Sequence, residues 1–236
     1  MQPSTHGART PALFVGHGAA IFTTSPADAT HRFLAGWAAE VDTWAPAGIV
    51  VVSAHHVGHP LRMTGAGPLA TIHDHPARAA FAYRYPGRGS AALGERVARA
   101  LAASGRLVEV EPGRGLDHGA WVPLSLLHPS GAAPIVQLSL AARGSPADHV
   151  AIGAALAGLR DEGVLLIGSG GVTHNQEVFR RGYLGGGEVG AAEPFAREFD
   201  AWVGSVVTAR TGAERARTLA GFAAHPSARL AHPTAE

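Results

Sequence analysis

The 236-residue chain is 46% hydrophobic and 16% charged, which gives it material for one sizeable core. Its formal net charge is +1 and its 19 basic residues are all arginine, a balance that points to no nucleic-acid partner. The absence of cysteine excludes disulfide frameworks, zinc ribbons, iron–sulfur clusters and thiol nucleophiles. No apolar run approaches the ~20 residues of a membrane span and no charged, then apolar, leader opens the chain, so a soluble cytoplasmic protein without a membrane partner is expected.

In chain order, strand and helix alternate. Pro11–Gly18 (PALFVGHG) reads as a strand buried on both faces, because its apolar residues do not alternate with polar ones. Thr24-Ser25-Pro26-Ala27-Asp28 then combines an N-cap hydroxyl, a first-turn proline and an early acid, and the helix it opens carries Phe33, Leu34, Trp37 and Val41. A second buried strand covers Gly48–Ser53, and the run continues through His55 and His56. Leu93, Val97 and Leu101 mark a helix over Ala91–Ala103, and Leu107–Val110 alternates as a half-buried strand should. Pro134–Leu140 (PIVQLSL) is a further strand. Ser145-Pro146-Ala147-Asp148 repeats the capping signature before a helix that ends at Gly163. The strand Val164–Gly168 leads into GSGGVTHN, Gly185–Gly187 reads as a flexible loop, and a long helix follows Glu193-Pro194 with Phe195, Phe199, Trp202 and Val203 on one face. No linker interrupts this order, which predicts a single α/β domain over residues 1–236, with a largely parallel or mixed central sheet and helices on both faces.

Three of the buried strands run into a histidine set among small residues: His17, His55 and His174. The carboxyl ends of strands are where an open α/β sheet places its ligand crevice, and imidazole is both the commonest protein ligand for transition metals and the usual proton shuttle near neutral pH. The three together point to one metal-centred active site. His118 follows Asp117, a candidate cap for the apolar segment behind it. A neutral imidazole at that positive helix end suits an acid, a base or a hydrogen-bond donor, and an incidental neighbour of a capping aspartate fits equally well. His73 and His75 would share a face if extended, as a metal pair would, but Pro76 argues for a polar loop. His56 should point away from His55, and His6, His31, His59, His128, His149 and His225 are expected at the surface. Gly168-Ser169-Gly170-Gly171 lacks the lysine and spacing of a phosphate loop, and neither Ser53 nor Ser169 sits in a G-x-S-x-G elbow.

Taken in order, GHG, SAHH, LDHGAWVPL, PIVQLSL and GSGGVTHN resemble the class III extradiol ring-cleaving dioxygenases, most closely their single-chain DOPA 4,5-dioxygenase-like branch. LDHGAWVPL is the most specific of these segments. The resemblance implies a non-haem Fe(II), or zinc in purified protein, held by His17 and His55. It implies His174 as the acid–base group or a further ligand, and His118 in the substrate pocket. Two departures stand out. The family's usual aromatic residue after SAH is here His56, which predicts a more polar pocket wall. The family's HPT-x-E segment continues into another histidine and a strand, whereas this sequence stops at His232-Pro233-Thr234-Ala235-Glu236. His232 or Glu236 is then the candidate substitute ligand, and weaker metal binding and an unpaired sheet edge are expected.

Such a site fits ring cleavage, which needs a metal with open positions for both catechol oxygens and O₂, and a base nearby to take the released proton. The expected partners are therefore a small catechol and O₂. A zinc-dependent hydrolase, or a silent metal- or ligand-binding protein of the same fold, would use the same histidines.

Overall fold

The computed structural model describes residues 9–75, 80–181 and 192–234. They divide into two compact units, one running to Arg143 and including Ile152–Gly170, the other made of Gly144–Ala151 and the chain from Gly171 onward. Gly185–Gly187, Glu236 and His6 lie outside the described residues.

The first unit is built on a six-stranded sheet. Its strands are β1 (Ala12–Gly16), β2 (Gly48–Gly58), β3 (Leu61–Thr64), β6 (Val108–Glu111), β7 (Ile135–Ala141) and β8 (Val164–Gly170), in the order β1-β8-β2-β7-β3-β6. All neighbours are parallel except β3 with β7, so the sheet is mixed, as the sequence predicts. A separate short antiparallel pair joins β4 (Gly67–Pro68) to β5 (Arg88–Gly89).

Alternation along the central strand assigns the helices to the two faces. Ile49 and Val51 of β2 pack with Leu34 of α1 (Ala29–Gly36), Val41 of α2 (Ala38–Thr43), and Trp121 and Leu124 of α4 (His118–Leu127). Val50 faces the other way, into Leu93, Val97 and Leu101 of α3 (Ala91–Ala102) and Ile152 and Leu156 of α5 (Pro146–Leu156). Every residue of α4 is buried. A helix apolar on all sides belongs inside a core, and this one lies against β2 and β8, with His55 of β2 near its start.

Several local expectations need correction. Asp28 is not an early helical acid but the N-cap itself: its carboxylate accepts from the Thr30 and His31 amides, and Ser25-Pro26 lies in the preceding turn. The first predicted helix is two, broken at Trp37 just after Gly36, a residue that weakens a helix. The alternating strand is displaced by one residue to Val108–Glu111, leaving Leu107 exposed. The second capping signature behaves as read. Ser145 Oγ accepts from the Asp148 amide at 3.2 Å while the Asp148 carboxylate accepts from the Ser145 amide at 2.9 Å, a reciprocal pair ahead of Pro146.

In the second unit, α7 (Pro194–Ala209) starts at the predicted proline. Its Phe199 packs with Ala228 and Ala231 of α9 (Ala228–Ala231), flanked by Trp202 and Phe222. Among the described residues no helix is long and apolar enough to cross a membrane.

Gly163 caps the 3₁₀ helix Ala157–Glu162 that follows α5, with φ at 80°. An L-residue is disfavoured there by about 1–2 kcal/mol. Gly163→Ala should therefore lower the unfolding free energy by that amount, read as a lower urea midpoint at an unchanged slope of the transition.

Candidate metal centre

β1 ends one residue before His17, so the ring leaves the sheet at its carboxyl edge. It is buried there, with Nδ1 3.0 Å from Ser169 Oγ of β8 and Nε2 3.0 Å from His55 Nε2. His55 sits where β2 has left its ladders. Pairing with β8 ends at Ser53, and the register with β7 shifts between Val52 and Val57. The segment is held by side chains instead: Ser53 Oγ accepts the His55 amide at 3.2 Å and donates to Asp117 Oδ1 at 2.7 Å.

His118 is the first residue of α4, with Asp117 as the cap foreseen from the sequence. Its amide donates to Asp74 Oδ1 at 3.0 Å, and its Nδ1 stands 3.0 Å from the same oxygen. Burial would raise the Asp74 carboxyl, but the hydrogen bonds and charge of His118 outweigh it and hold Asp74 below the usual carboxylate range. A carboxylate this close behind the ring restrains the imidazole's orientation.

The three rings converge. His55 and His118 centroids are 4.0 Å apart, His17 and His55 4.9 Å, and His17 and His118 5.2 Å. One ligand atom from each lies within 4.8 Å of the others, a group that can hold one metal ion. Two nitrogens each ~2.1 Å from an ion and at right angles to it stand ~3.0 Å apart. The observed 3.0 Å between the His17 and His55 Nε2 atoms matches that spacing. An all-imidazole donor set suits zinc, copper, iron or nickel better than magnesium or calcium.

Beneath α4 the polar groups are matched almost completely. Asp117, 1% exposed, accepts from Ser53 and also from Gln137 Nε2 at 2.6 Å, Arg114 at 3.1 Å and the Ala120 amide at 3.2 Å, while its own amide donates to Gln137 Oε1 at 3.1 Å. Ser169 donates its hydroxyl proton to the Gly119 carbonyl. Gly119 is required by close approach, since a Cβ there would meet Ser53 Oγ at 2.4 Å and His55 Cδ2 at 3.2 Å.

The other sequence candidates fall elsewhere. His174 belongs to the second unit, where its amide donates to the Ala231 carbonyl at 2.8 Å. Beside it, Asn175 donates to the Leu230 carbonyl at 2.8 Å, and His232 Nε2 donates to the Val172 carbonyl at 2.8 Å. His232, considered above as a substitute ligand, thus commits that nitrogen to holding the Val172–Asn175 segment. His56 does not make a pocket wall polar. It is buried, donates to Glu111 Oε2 at 3.0 Å, and its imidazole pKa is lowered by burial first and then by the nearby Arg114 charge. His128 is not at the surface but 5% exposed, with Nε2 accepting the Ala133 amide at 3.1 Å. His73 and His75 form no metal pair: His73 accepts from Arg84 at 2.8 Å, and His75 lies with its ring 5.3 Å from His118. Asp74, Ser53, Ser169 and Gln137 were not assigned to the site from the sequence. Gln137 alone carried a signal, as the amide in an otherwise apolar buried strand.

An α/β protein with a mixed sheet, in which two strand-end histidines converge with one at a helix start, is the class defined so far. Comparison with known proteins narrows it. Residues 11–233 match the family model of the catalytic LigB subunit of aromatic ring-opening dioxygenase, and the chain belongs to that family. It is 34% identical over 230 residues to a Beta vulgaris protein named 4,5-DOPA dioxygenase extradiol, covering 95% of this chain and 81% of that one. A protein of the same name from Escherichia coli K12 is 32% identical over 231 residues, covering 97% and 81%. The crystal structure of an uncharacterized E. coli K12 protein superposes with a TM-score of 0.75 at 30% identity, covering 96% of this chain and 84% of that one.

Because α4 touches β2 through a glycine, Gly119→Ala should force the helix off Ser53. It should cost about 1–3 kcal/mol, as overpacking of a tight contact does. Urea unfolding of the variant measures it, and a cost near zero would show that the helix has room to move.

Proposed function

We propose that the chain is a metal-dependent extradiol dioxygenase that opens the ring of a catechol-type substrate with O₂, the whole of residues 1–236 serving as one catalytic domain. The convergence of His17 after β1 and His55 on β2 with His118 at the start of α4 is the observation that carries this reading. Membership of the ring-opening family and the names of the relatives support the reaction class. The proposed metal is Fe(II), with zinc a common occupant of purified protein. When bound, it supplies adjacent open positions for two catechol oxygens and O₂.

In this reading His17 and His55 are ligands, and His118, oriented by Asp74, completes the donor set. His174 is the acid–base group that takes and returns the substrate proton. A further-ligand role for it would show as metal loss in His174→Ala. The burial of α4 keeps water from the helix side of the site. A second reading of His118 rests on its contact with Asp74. A ring held from behind by a carboxylate is also placed to donate to bound substrate.

Anaerobic reconstitution with Fe(II), followed by a catechol panel in air, should give a yellow ring-opened product. Stoichiometric metal without turnover on any catechol would overturn the dioxygenase reading in favour of a silent binding protein. Hydrolytic activity with zinc alone would favour a hydrolase.

His17→Ala and His55→Ala should each lose stoichiometric metal while keeping the far-ultraviolet spectrum of the parent. His118→Ala should also lose metal. If it instead keeps metal and loses turnover by roughly 10²–10⁴-fold, the proton-donor reading of His118 replaces the ligand reading.

A further inference from the structure

We propose that Ser169 is a positioning residue that holds His17 in the tautomer protonated on Nδ1, presenting Nε2 as its metal-binding atom. The affinity part of the argument rests on the ligand reading of His17 above. The tautomer part stands without it.

The argument begins with a proline. In an α-helix the carbonyl of residue 119 is served by the amide of residue 123. In α4 that residue is Pro123, which has no N–H, so the Gly119 carbonyl loses its helical donor inside a buried helix. A buried carbonyl needs another partner, and the Ser169 hydroxyl supplies it. Ser169 is 4% exposed, so water does not compete for the hydroxyl.

A serine hydroxyl has one proton to give. The Gly119 carbonyl can only accept, so the proton is spent there. The second contact of Ser169 Oγ, 3.0 Å from His17 Nδ1, must then be donated by the ring. A neutral imidazole protonated on Nδ1 carries its lone pair on Nε2, the atom that lies 3.0 Å from His55 Nε2 at the centre of the cluster. In the metal-free chain that contact is then a hydrogen bond donated by His55, whose proton would have to shift from Nε2 to Nδ1 for this ring to offer the same atom to an ion. The proline of LDHGAWVPL and the serine of GSGG thus act on one ring across 46 residues of sequence, Pro123 to Ser169.

The test begins with the metal-free protein. Long-range ¹H–¹⁵N NMR should show His17 protonated on Nδ1, and a dominant Nε2–H form would overturn the proposal directly. Ser169→Ala should populate the Nε2–H form and weaken Zn(II) binding by roughly 10–100-fold, the usual cost of removing a partner behind a ligand. Ser169→Thr should restore both. Pro123→Ala gives Gly119 a helical donor, so it should also mix the tautomers even where Ser169→Ala does not fold. A tautomer unchanged in both variants would overturn the proposal. A shifted tautomer with unchanged zinc affinity would support the tautomer assignment and remove His17 from the ligand set.

Discussion

The structure turns on a buried helix N-terminus. α4 is enclosed on every side, yet its first turn presents polar amides and a carboxylate, none of which can be left unmatched away from water. Asp117 meets the amides as a cap, but a nearly fully buried carboxylate needs partners of its own, and it finds them in Ser53 of β2, Gln137 of β7 and Arg114. Ser169 of β8 matches the carbonyl that Pro123 leaves without a donor. Each of these partners comes from a different element. The web closes only when β2, β7 and β8 lie under the helix in the observed register, because a one-residue slip would turn Ser53 and Ser169 to the opposite face. Fold and site are therefore one set of constraints.

Much of this was legible because the responsible signals are local. Unbroken apolar runs ending in histidine located β1, β2 and β8, and the Asp117 cap placed His118 at a helix start. The missed features are those decided by distant partners. Asp74 reads as one more polar loop residue, yet it meets His118 across 44 positions. β3 interrupts its short apolar pattern with Arg62, whose side chain is drawn to Glu111 at 2.9 Å, a pairing invisible along the chain. His128 looks like a loop histidine after a helix, and is buried because it accepts the amide of Ala133 in the chain's own return to β7. Ser53 and Ser169 lack the G-x-S-x-G elbow of a nucleophile. Their work is to bond, through hydroxyls that both donate and accept.

Crowding dictates one of the small residues around the histidines. Gly119 lets the helix touch β2, whereas a Cβ on Gly170 in β8 would make only ordinary contact, 3.7 Å from that of Ala54. The second unit shows a comparable economy. The Val172–Asn175 segment, which carries His174, is tied by three hydrogen bonds to residues 230–232, through the His174 amide, the Asn175 side chain and the His232 ring. A backbone so held gives the His174 ring a fixed origin, as the acid–base role proposed for it would require.

The donor set also bears on the chemistry proposed. An all-imidazole donor set would contribute no charge of its own, so a divalent ion held by it would keep its attraction for an anionic substrate and would lower the cost of ionising a bound catechol. Asp74 lies behind the His118 ring, outside the group of three convergent ligand atoms. Ser169 is neutral, and accepts from His17 without adding charge. The three rings are thereby set differently: one backed by a carboxylate, one by a hydroxyl, and His55 held through its backbone by Ser53.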